Sequence, residues 1–165
     1  PGLEREIGPG RLPLGRGRFV PVSQGPPAAE LPSRRFPYIL NTGRVLYHWH
    51  GGTMTRRVRG LLERSPTVRV AIHPLDAEAE GLANGGEVIV TSRRGELHGE
   101  VFVTEAVRRK EIFVPFVKLA DSAANFLTNA VYDPKSKIPE FKVCAVRIDG
   151  PGAERKPRGG GRERF

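Results

Sequence analysis

The feature that most constrains the fold is a series of short apolar runs, each ended by glycine, proline or polar turn residues. The runs occupy residues 37–42, 68–73, 87–93, 96–104, 111–117 and 141–148. Alternation of apolar and polar residues within them is the period of a strand with one buried face. Arg94-Gly95, between the third and fourth runs, predicts a hairpin turn. These short strands, with two or three short helices, predict a mainly β (α+β) fold built as a small mixed barrel.

Short helices are predicted between some of the strands. The first is indicated by an apolar face spaced i, i+4, i+7 and i+8, which consists of Met54, Val58, Leu61 and Leu62. Thr53 is placed to cap its N-terminus. Pro74 suits the first turn of a second helix, where Asp76 would face the positive end of the helix dipole. A third short helix is predicted over residues 122–127.

The predicted folded unit spans residues 36–149. Residues 1–35 are rich in Gly, Pro and Arg and predict an irregular lead-in with one short strand around Phe19. Residues 150–165 predict a basic, disordered tail. Six Arg against three Glu over 1–37, and five Lys and Arg against two Glu over 150–165, supply most of the net charge of +9. The high charge therefore does not argue for a nucleic-acid-binding core.

Length and composition exclude several classes of protein. With 165 residues the chain suits one compact domain. No apolar run approaches the roughly 18 residues that a membrane-spanning helix needs, and no signal peptide is recognisable. A single cysteine, Cys144, excludes an internal disulfide and a multi-cysteine metal site. The chain begins with Pro rather than Met, so it is either processed or a piece of a longer protein, and the lack of a recognisable signal peptide favours a piece.

The stretch TGRVLYHWHGGTMTRRV, residues 42–58, is the densest group of functional side chains. His48 and His50 would face the same side of a strand, but zinc needs three or four ligands. His73 and His98 complete no recognisable metal-binding spacing. Cys144 lies in an alternating strand, which is typical of an inert buried thiol, and no serine has the context of a nucleophile. Metal binding and nucleophilic catalysis are therefore both disfavoured.

Anion binding suits this stretch better. Gly43 follows an apolar strand and would let a ligand approach the backbone, where N–H groups bind phosphate oxygens and Arg44 adds a bidentate contact. Residues 51–53 would lead into a helix N-terminus, which favours an anion. The pattern indicates a pocket for a phosphorylated heterocycle. From the residues alone, the alternative that these glycines only form turns stays open.

Three motifs in order resemble one known family. TGRVLYHWHGGTMTRR, VRVAIHPLDAEAEGLANGGEVIVTSRRGEL and AANFLTNAVYDPKSKIPEFKVCAVRI are similar to the C-terminal domain of molybdenum and tungsten oxidoreductases of the dimethyl sulfoxide reductase superfamily. Formate dehydrogenases and nitrate reductases are the branches that they resemble most. The resemblance covers about residues 36–149, and GRGRFVPV resembles the lead-in strand of the family.

The resemblance implies a double-psi β-barrel that binds the bis(molybdopterin guanine dinucleotide) cofactor with Mo or W. The family's cofactor contacts fall on Thr42, Gly43, Arg44, Val45, Leu46, Tyr47, His48, Trp49, His50, Gly51, Phe116, Asn125 and Lys142. At Gly51 the family more often has Thr, so only a backbone contact is carried over there. The metal ligand and any iron–sulfur site of the family lie in other domains, so neither a catalytic residue nor a metal ligand is expected in this chain.

The resemblance leaves the reaction open between two substrates. Formate dehydrogenase is favoured over nitrate reductase because Tyr47 stands where the latter would have Glu. The expected partners are the remaining domains of the catalytic subunit and iron–sulfur electron-transfer subunits, without nucleic acid or membrane insertion. The expected location is cytoplasmic, or periplasmic if an export signal precedes the chain. A basic β-barrel that binds nucleic acid is the alternative function, although the strands alternate aliphatic and acidic residues rather than aromatic and basic ones.

Overall fold

The computed structural model describes Phe19, residues 21–23, Gly25 and residues 27–151. Its strands are β1 Tyr38–Gly43, β2 Arg69–Ile72, β3 Glu87–Thr91, β4 Glu96–Val103, β5 Glu111–Pro115 and β6 Cys144–Asp149. Each strand lies within one of the predicted apolar runs or extends a single residue beyond it. The hairpin predicted at Arg94-Gly95 is confirmed as the turn between β3 and β4.

The strands close into a barrel in the order β1-β5-β2-β4-β3-β6, with β6 pairing again with β1. β1 and β5 are parallel, as are β2 and β4, and the other neighbours are antiparallel. The prediction of a mainly β fold with short helices, organised as a double-psi β-barrel, is confirmed. Closure pairs each of the six described strands on both sides, which is how such short strands form a stable sheet.

Alternation along the strands fills the barrel interior. In β1, for example, Tyr38, Leu40 and Thr42 are buried whereas Ile39 and Asn41 are not fully so. The interior is aliphatic on every strand, and its buried members include Val70, Ile72, Val88, Val90, Leu97, Val101, Ile112, Val114, Val146 and Ile148. Burial of these side chains is the main favourable contribution to folding.

The first helical region differs from its prediction. A 3₁₀ turn at Thr55–Arg57 precedes α1, which spans Arg59–Arg64 and has Val58, not Thr53, at its N-cap without a side-chain cap. The Thr53 cap was therefore a wrong prediction: residues 53–57 form tight turns instead of continuing the helix. The predicted apolar face is largely exposed, with Met54 at 70 % and Val58 at 51 % of full exposure.

The second helix, α2, spans Pro74–Ala79 and confirms Pro74 as its first residue. His73 caps it, since Nδ1 accepts a hydrogen bond from the backbone N–H of Leu75 at 3.2 Å. Asp76 is fully buried, and its Oδ2 accepts from the backbone N–H of Lys110 at 2.7 Å. Lys110 has a left-handed backbone (φ 61°), so this bond fixes an unfavourable turn between β4 and β5.

Tyr38 links the same end of the barrel to α2. Its hydroxyl donates to Oε1 of Glu80 at 2.6 Å and accepts from Nζ of Lys110 at 3.2 Å. Burial, and then the hydrogen bond to Glu80, raise the pKa of Tyr38 above its ordinary value. Tyr38 therefore stays a neutral hydroxyl that donates this hydrogen bond.

The flanks are described only in part. Glu30, in the segment before β1, pairs with Arg93 and Arg94 of the β3–β4 turn. Phe19, Pro21 and Val22 lie in no strand, and the rest of the predicted lead-in strand falls outside the described residues. Residues 152–165 of the predicted tail do so as well, and the limits of the domain stay predictions. Among the described residues, no helix combines the length and the apolar character needed to cross a membrane.

Candidate functional site

The barrel topology gathers three of the predicted segments at one end. The parallel strands β1 and β5 end side by side, with Gly43 opposite Pro115. β6 runs antiparallel to β1, with Cys144 opposite Leu40, so residues just before β6 lie at the same end. The loop after β1, the segment after β5 and Lys142 therefore meet there, although they are separated by up to a hundred positions in sequence.

The end of β1 is fixed by residues from the approach to β6. Thr42 is buried, and its hydroxyl donates to the carbonyl of Phe141 at 2.7 Å. Nζ of Lys142 in turn donates to the carbonyl oxygen of Thr42. A Cβ at Gly43 would lie 2.6 Å from the ring of Phe113, so this position favours glycine. The ammonium group of Lys142 is thereby held beside the start of the loop at residues 44–51, which we call the candidate loop.

The loop from Arg44 to Gly51 presents charged and flat side chains to solvent. The guanidinium carbon of Arg44 lies 5.1 Å from the ring centroid of Trp49, within cation–π range. Trp49 meets His50 edge to face, with ring centroids 4.7 Å apart. Leu46 and Tyr47 are also exposed, whereas Val45 packs against the core. An exposed indole and imidazole beside a cation suit a planar, anionic ligand.

His48 lies in the same loop but is buried. Its Nε2 donates to the carbonyl of Ser65 at 2.9 Å, and Nδ1 lies 3.2 Å from the hydroxyl of Thr55. Because a carbonyl only accepts, the proton sits on Nε2 and Nδ1 accepts from the Thr55 hydroxyl. The ring thus ties the loop to α1. No three His, Cys, Asp or Glu side chains of the described ranges come together in a way that could hold a metal ion.

A tight turn closes the loop at its second glycine. Gly52 has φ 75°, and a Cβ there would lie 2.7 Å from Cγ2 of the buried Val117. At Gly51 a Cβ would meet nothing within 4 Å. The expected helix N-terminus after residues 51–53 is absent, since α1 begins only at Arg59; that prediction was wrong because the chain turns through the 3₁₀ segment first.

The segment after β5 is joined to the loop through its backbone. The N–H of Phe116 donates to the carbonyl of Gly43 at 2.8 Å, and that of Lys118 donates to Gly51 at 3.2 Å. The Phe116 ring packs edge to face on Phe141, with centroids 5.3 Å apart. Nζ of Lys142 lies 5.4 Å from the Phe116 ring centroid. Phe116 and Lys142, predicted separately, are therefore neighbours.

Asn125 lies in a 3₁₀ turn at Ala124–Phe126, which we call the Asn125 turn; a helix was predicted here over residues 122–127. Asn125 is exposed, and its carboxamide has no hydrogen-bond partner among the residues that the structure describes. The turn packs on the β3–β4 turn, where a Cβ at Gly95 would lie 2.9 Å from the carbonyl oxygen of Phe126. Sequence reasoning assigned no role to this packing or to Arg94, since nothing in the local sequence signals either.

Cys144 lies near this end of the barrel but is fully buried. Burial raises the pKa of its thiol, and its sulfur accepts a hydrogen bond from the backbone N–H of Asn129 at 3.2 Å. A protonated, buried thiol is a poor nucleophile. The interpretation of Cys144 as a structural residue agrees with these contacts.

Comparison with known proteins gives a consistent result. The family model described as the Molydopterin dinucleotide binding domain matches residues 38–145. The F420-dependent formate dehydrogenase subunit alpha of Methanocaldococcus jannaschii is 43% identical over 135 residues, which are 82% of this chain and 20% of that protein. The F420-dependent formate dehydrogenase 1 subunit alpha of Methanococcus maripaludis is 39% identical over 137 residues, 83% of this chain and 20% of that protein.

A solved structure shares the fold. Acetylene hydratase from Pelobacter acetylenicus superposes with a TM-score of 0.59 at 16% sequence identity, over 70% of this chain and 18% of that chain. This likeness concerns the fold alone. The chain spans about a fifth of the length of the curated relatives that it matches.

Proposed function

The chain belongs to the Molydopterin dinucleotide binding domain family, and from this premise we propose that it forms one wall of a bis(molybdopterin guanine dinucleotide) site in a formate dehydrogenase alpha subunit. The observation that carries the proposal is the convergence of Arg44, Trp49 and Lys142 at one barrel end. The names of the relatives at 39% and 43% identity support formate as the substrate of the whole polypeptide.

The residues present fit such a ligand. The cofactor carries pyrophosphate groups, which cations and backbone N–H groups bind. Arg44 and Lys142 supply exposed positive charge. Gly43 has no side chain, so a ligand can approach the backbone at the end of β1. Trp49 and His50 supply flat surfaces for a heterocycle. The carboxamide of Asn125 offers both a donor and an acceptor to a polar ring edge.

The division of labour follows from these groups. When bound, the cofactor supplies metal-centred two-electron redox chemistry. Arg44 holds phosphate oxygens, while Lys142 fixes the end of β1 and adds charge. His48 acts indirectly, since its ring keeps the loop against α1. The proposal also includes components beyond the described residues. These are the metal, Mo or W, the rest of the catalytic subunit, and iron–sulfur electron-transfer subunits.

The experiment that tests the proposal is the cofactor content of an Arg44→Ala variant of the full polypeptide. Loss of a charge-assisted contact predicts a decrease of about tenfold or more in cofactor per polypeptide. Cofactor is measured as guanosine monophosphate released by acid hydrolysis. Arg59→Ala is the matched control, because Arg59 is exposed and, within the described part of the chain, pairs with Glu63 on its own helix.

Two outcomes separate the proposal from its alternatives. A normal content in both Arg44→Ala and Asn125→Ala would contradict cofactor binding at this barrel end. Full cofactor content together with nitrate reduction and no formate oxidation in the parent polypeptide would keep the site and overturn the substrate.

A further inference from the structure

The Asn125 turn is held in place by Arg94, a side chain that is not among the predicted cofactor contacts. Arg94, in the β3–β4 turn, donates from Nε to the carbonyl of Leu127 at 2.9 Å. Leu127 is the C-cap of the Asn125 turn and is fully buried. Carbonyls at a helix end lack an intrahelical donor, so Arg94 supplies the missing hydrogen bond. This contact spans 33 positions of sequence.

Arg94 is itself fixed by two further contacts. Its Nη2 pairs with Oε2 of Glu30 at 2.7 Å, and the side chains are only 30 % and 11 % exposed. Its backbone N–H donates to the hydroxyl of Ser92 at 3.0 Å, and the N–H of Gly95 lies 3.3 Å from the same hydroxyl. A guanidinium held at both ends has little freedom, so it transmits a defined position to Leu127.

The neighbouring Arg93 also forms an ion pair with Glu30, but it does not make the hydrogen bond to Leu127. Its guanidinium carbon lies 4.8 Å from the ring centroid of Phe36. Among the described residues, Arg93 contacts Glu30 and Phe36, which precede β1, and not the Asn125 turn. Arg93 and Arg94 therefore share the partner Glu30, the charge and the turn, and they differ in the hydrogen bond to Leu127.

We propose that Arg94 is a positioning residue for cofactor binding: it caps the Asn125 turn and sets the direction in which the Asn125 carboxamide faces the site. The inference rests on the proposed function, because it takes Asn125 as a cofactor contact. The ion pair between Arg94 and Glu30 also connects the Asn125 turn to the segment before β1. A role limited to the ion pair with Glu30 would make Arg93 and Arg94 equivalent.

The test compares Arg94→Ala, Arg94→Lys and Arg93→Ala in the full polypeptide. Cofactor content should fall about tenfold in Arg94→Ala, since a hydrogen bond from a charged donor is lost. Arg94→Lys should fall similarly, because a single ammonium cannot bind Glu30 and Leu127 in the same fork. Arg93→Ala should keep the parent's content. Hydrogen exchange of the peptide 124–129, measured on cofactor-free protein, should accelerate in both Arg94 variants and not in Arg93→Ala.

Each other outcome overturns the inference in a distinct way. Equal losses in Arg93→Ala and Arg94→Ala would make the effect one of general stability. Parent content and unchanged exchange in Arg94→Ala would remove the positioning role while Asn125→Ala still lowers content. Normal content in Arg44→Ala, Asn125→Ala and Arg94→Ala together would instead show failure of the proposed function.

Discussion

The two adjacent glycines at the end of the candidate loop have different structural roles, which the sequence alone does not reveal. Gly51 and Gly52 are adjacent, yet only Gly52 combines a left-handed backbone with a close neighbour, Cγ2 of Val117. Any side chain at Gly52 is strained by its φ of 75° and also collides with a stiff, buried valine. The glycine pair in the sequence marks a turn, but it does not identify the constrained member.

We predict that Gly52→Ala lowers the free energy of unfolding by about 1–3 kcal/mol, from backbone strain and overpacking together. Gly51→Ala should change it by less than about 1 kcal/mol, because the added methyl enters open space. Denaturant unfolding of the two variants beside the parent measures both values. Equal destabilisation at the two positions would mean that the turn has a different conformation in solution.

His48 shows what sequence reasoning misses at the same scale. His48 stands between a tyrosine and a tryptophan in a largely exposed loop, and the resemblance assigned it to the cofactor contacts. The structure gives both of its ring nitrogens partners within the chain, Ser65 and Thr55. These partners lie 17 and 7 positions away, and only the folded turn brings them to the ring. Its direct contact with a cofactor stays a prediction.

Helix α2 illustrates the same limit for an element. The start of α2 follows from the sequence, because Pro74 suits a first helical turn. The acidic residue in its first turn was assigned to the helix dipole, whereas Asp76 reaches across to the backbone of Lys110. The guanidinium of Arg109 and the ammonium of Lys110 lie 3.7 and 3.8 Å from Oδ1 of Asp76. A partner 34 positions away has no local signature.

We predict that Asp76→Ala destabilises the barrel by about 1–3 kcal/mol, since the part-buried hydrogen bond to the backbone N–H of Lys110 is lost. Arg109 and Lys110 are half exposed, so their lost attraction adds little. Glu78→Ala, on the same helix but exposed, is the control and should stay within about 0.5 kcal/mol of the parent. Thermal unfolding of both variants provides the comparison; similar midpoints would contradict a structural role for Asp76.

Helix α1 shows why periodicity alone can mislead. The spacing of Met54, Val58, Leu61 and Leu62 predicted one apolar helical face, and the structure leaves Met54, Val58 and Leu62 exposed. A 3.6-residue period reports that a face is apolar, but not that this domain covers it. The hydroxyl of Thr55 is used by His48 and by the backbone of Trp49, and these bonds form the turn that delays the helix.

For the whole molecule, the local pattern predicted every described strand but not their order around the barrel. Strand periodicity is local, whereas the parallel pairs β1–β5 and β2–β4 join residues 72 and 31 positions apart. The site depends on that order, because Gly43, Phe116 and Lys142 meet only once the barrel closes. The resemblance to a known family supplied what the pattern could not, namely the barrel type and the separated site residues.

Closure of the barrel can be followed at Cys144, the chain's single cysteine. It is fully buried in β6, which completes the ring by pairing with β1 and β3. Because the thiolate is the reactive form, we predict that a thiol reagent labels the folded protein at least about a thousandfold more slowly than the unfolded chain. A Glu105→Cys, Cys144→Ala variant, with its thiol at an exposed position, should react at the rate of a free thiol.

The dependence of this labelling on pH has a defined sign. Burial raises the pKa of Cys144 above its ordinary 9.0, so the folded barrel keeps the thiol proton at a pH where the unfolded chain loses it. The stability that this proton contributes is complete below 9.0 and is lost as the pH rises through the higher folded pKa. Above pH 9.0, labelling of Cys144 should therefore accelerate more steeply than labelling of the exposed control. Parallel pH profiles for the two thiols would show that Cys144 is not shielded in the folded barrel and does not report its closure.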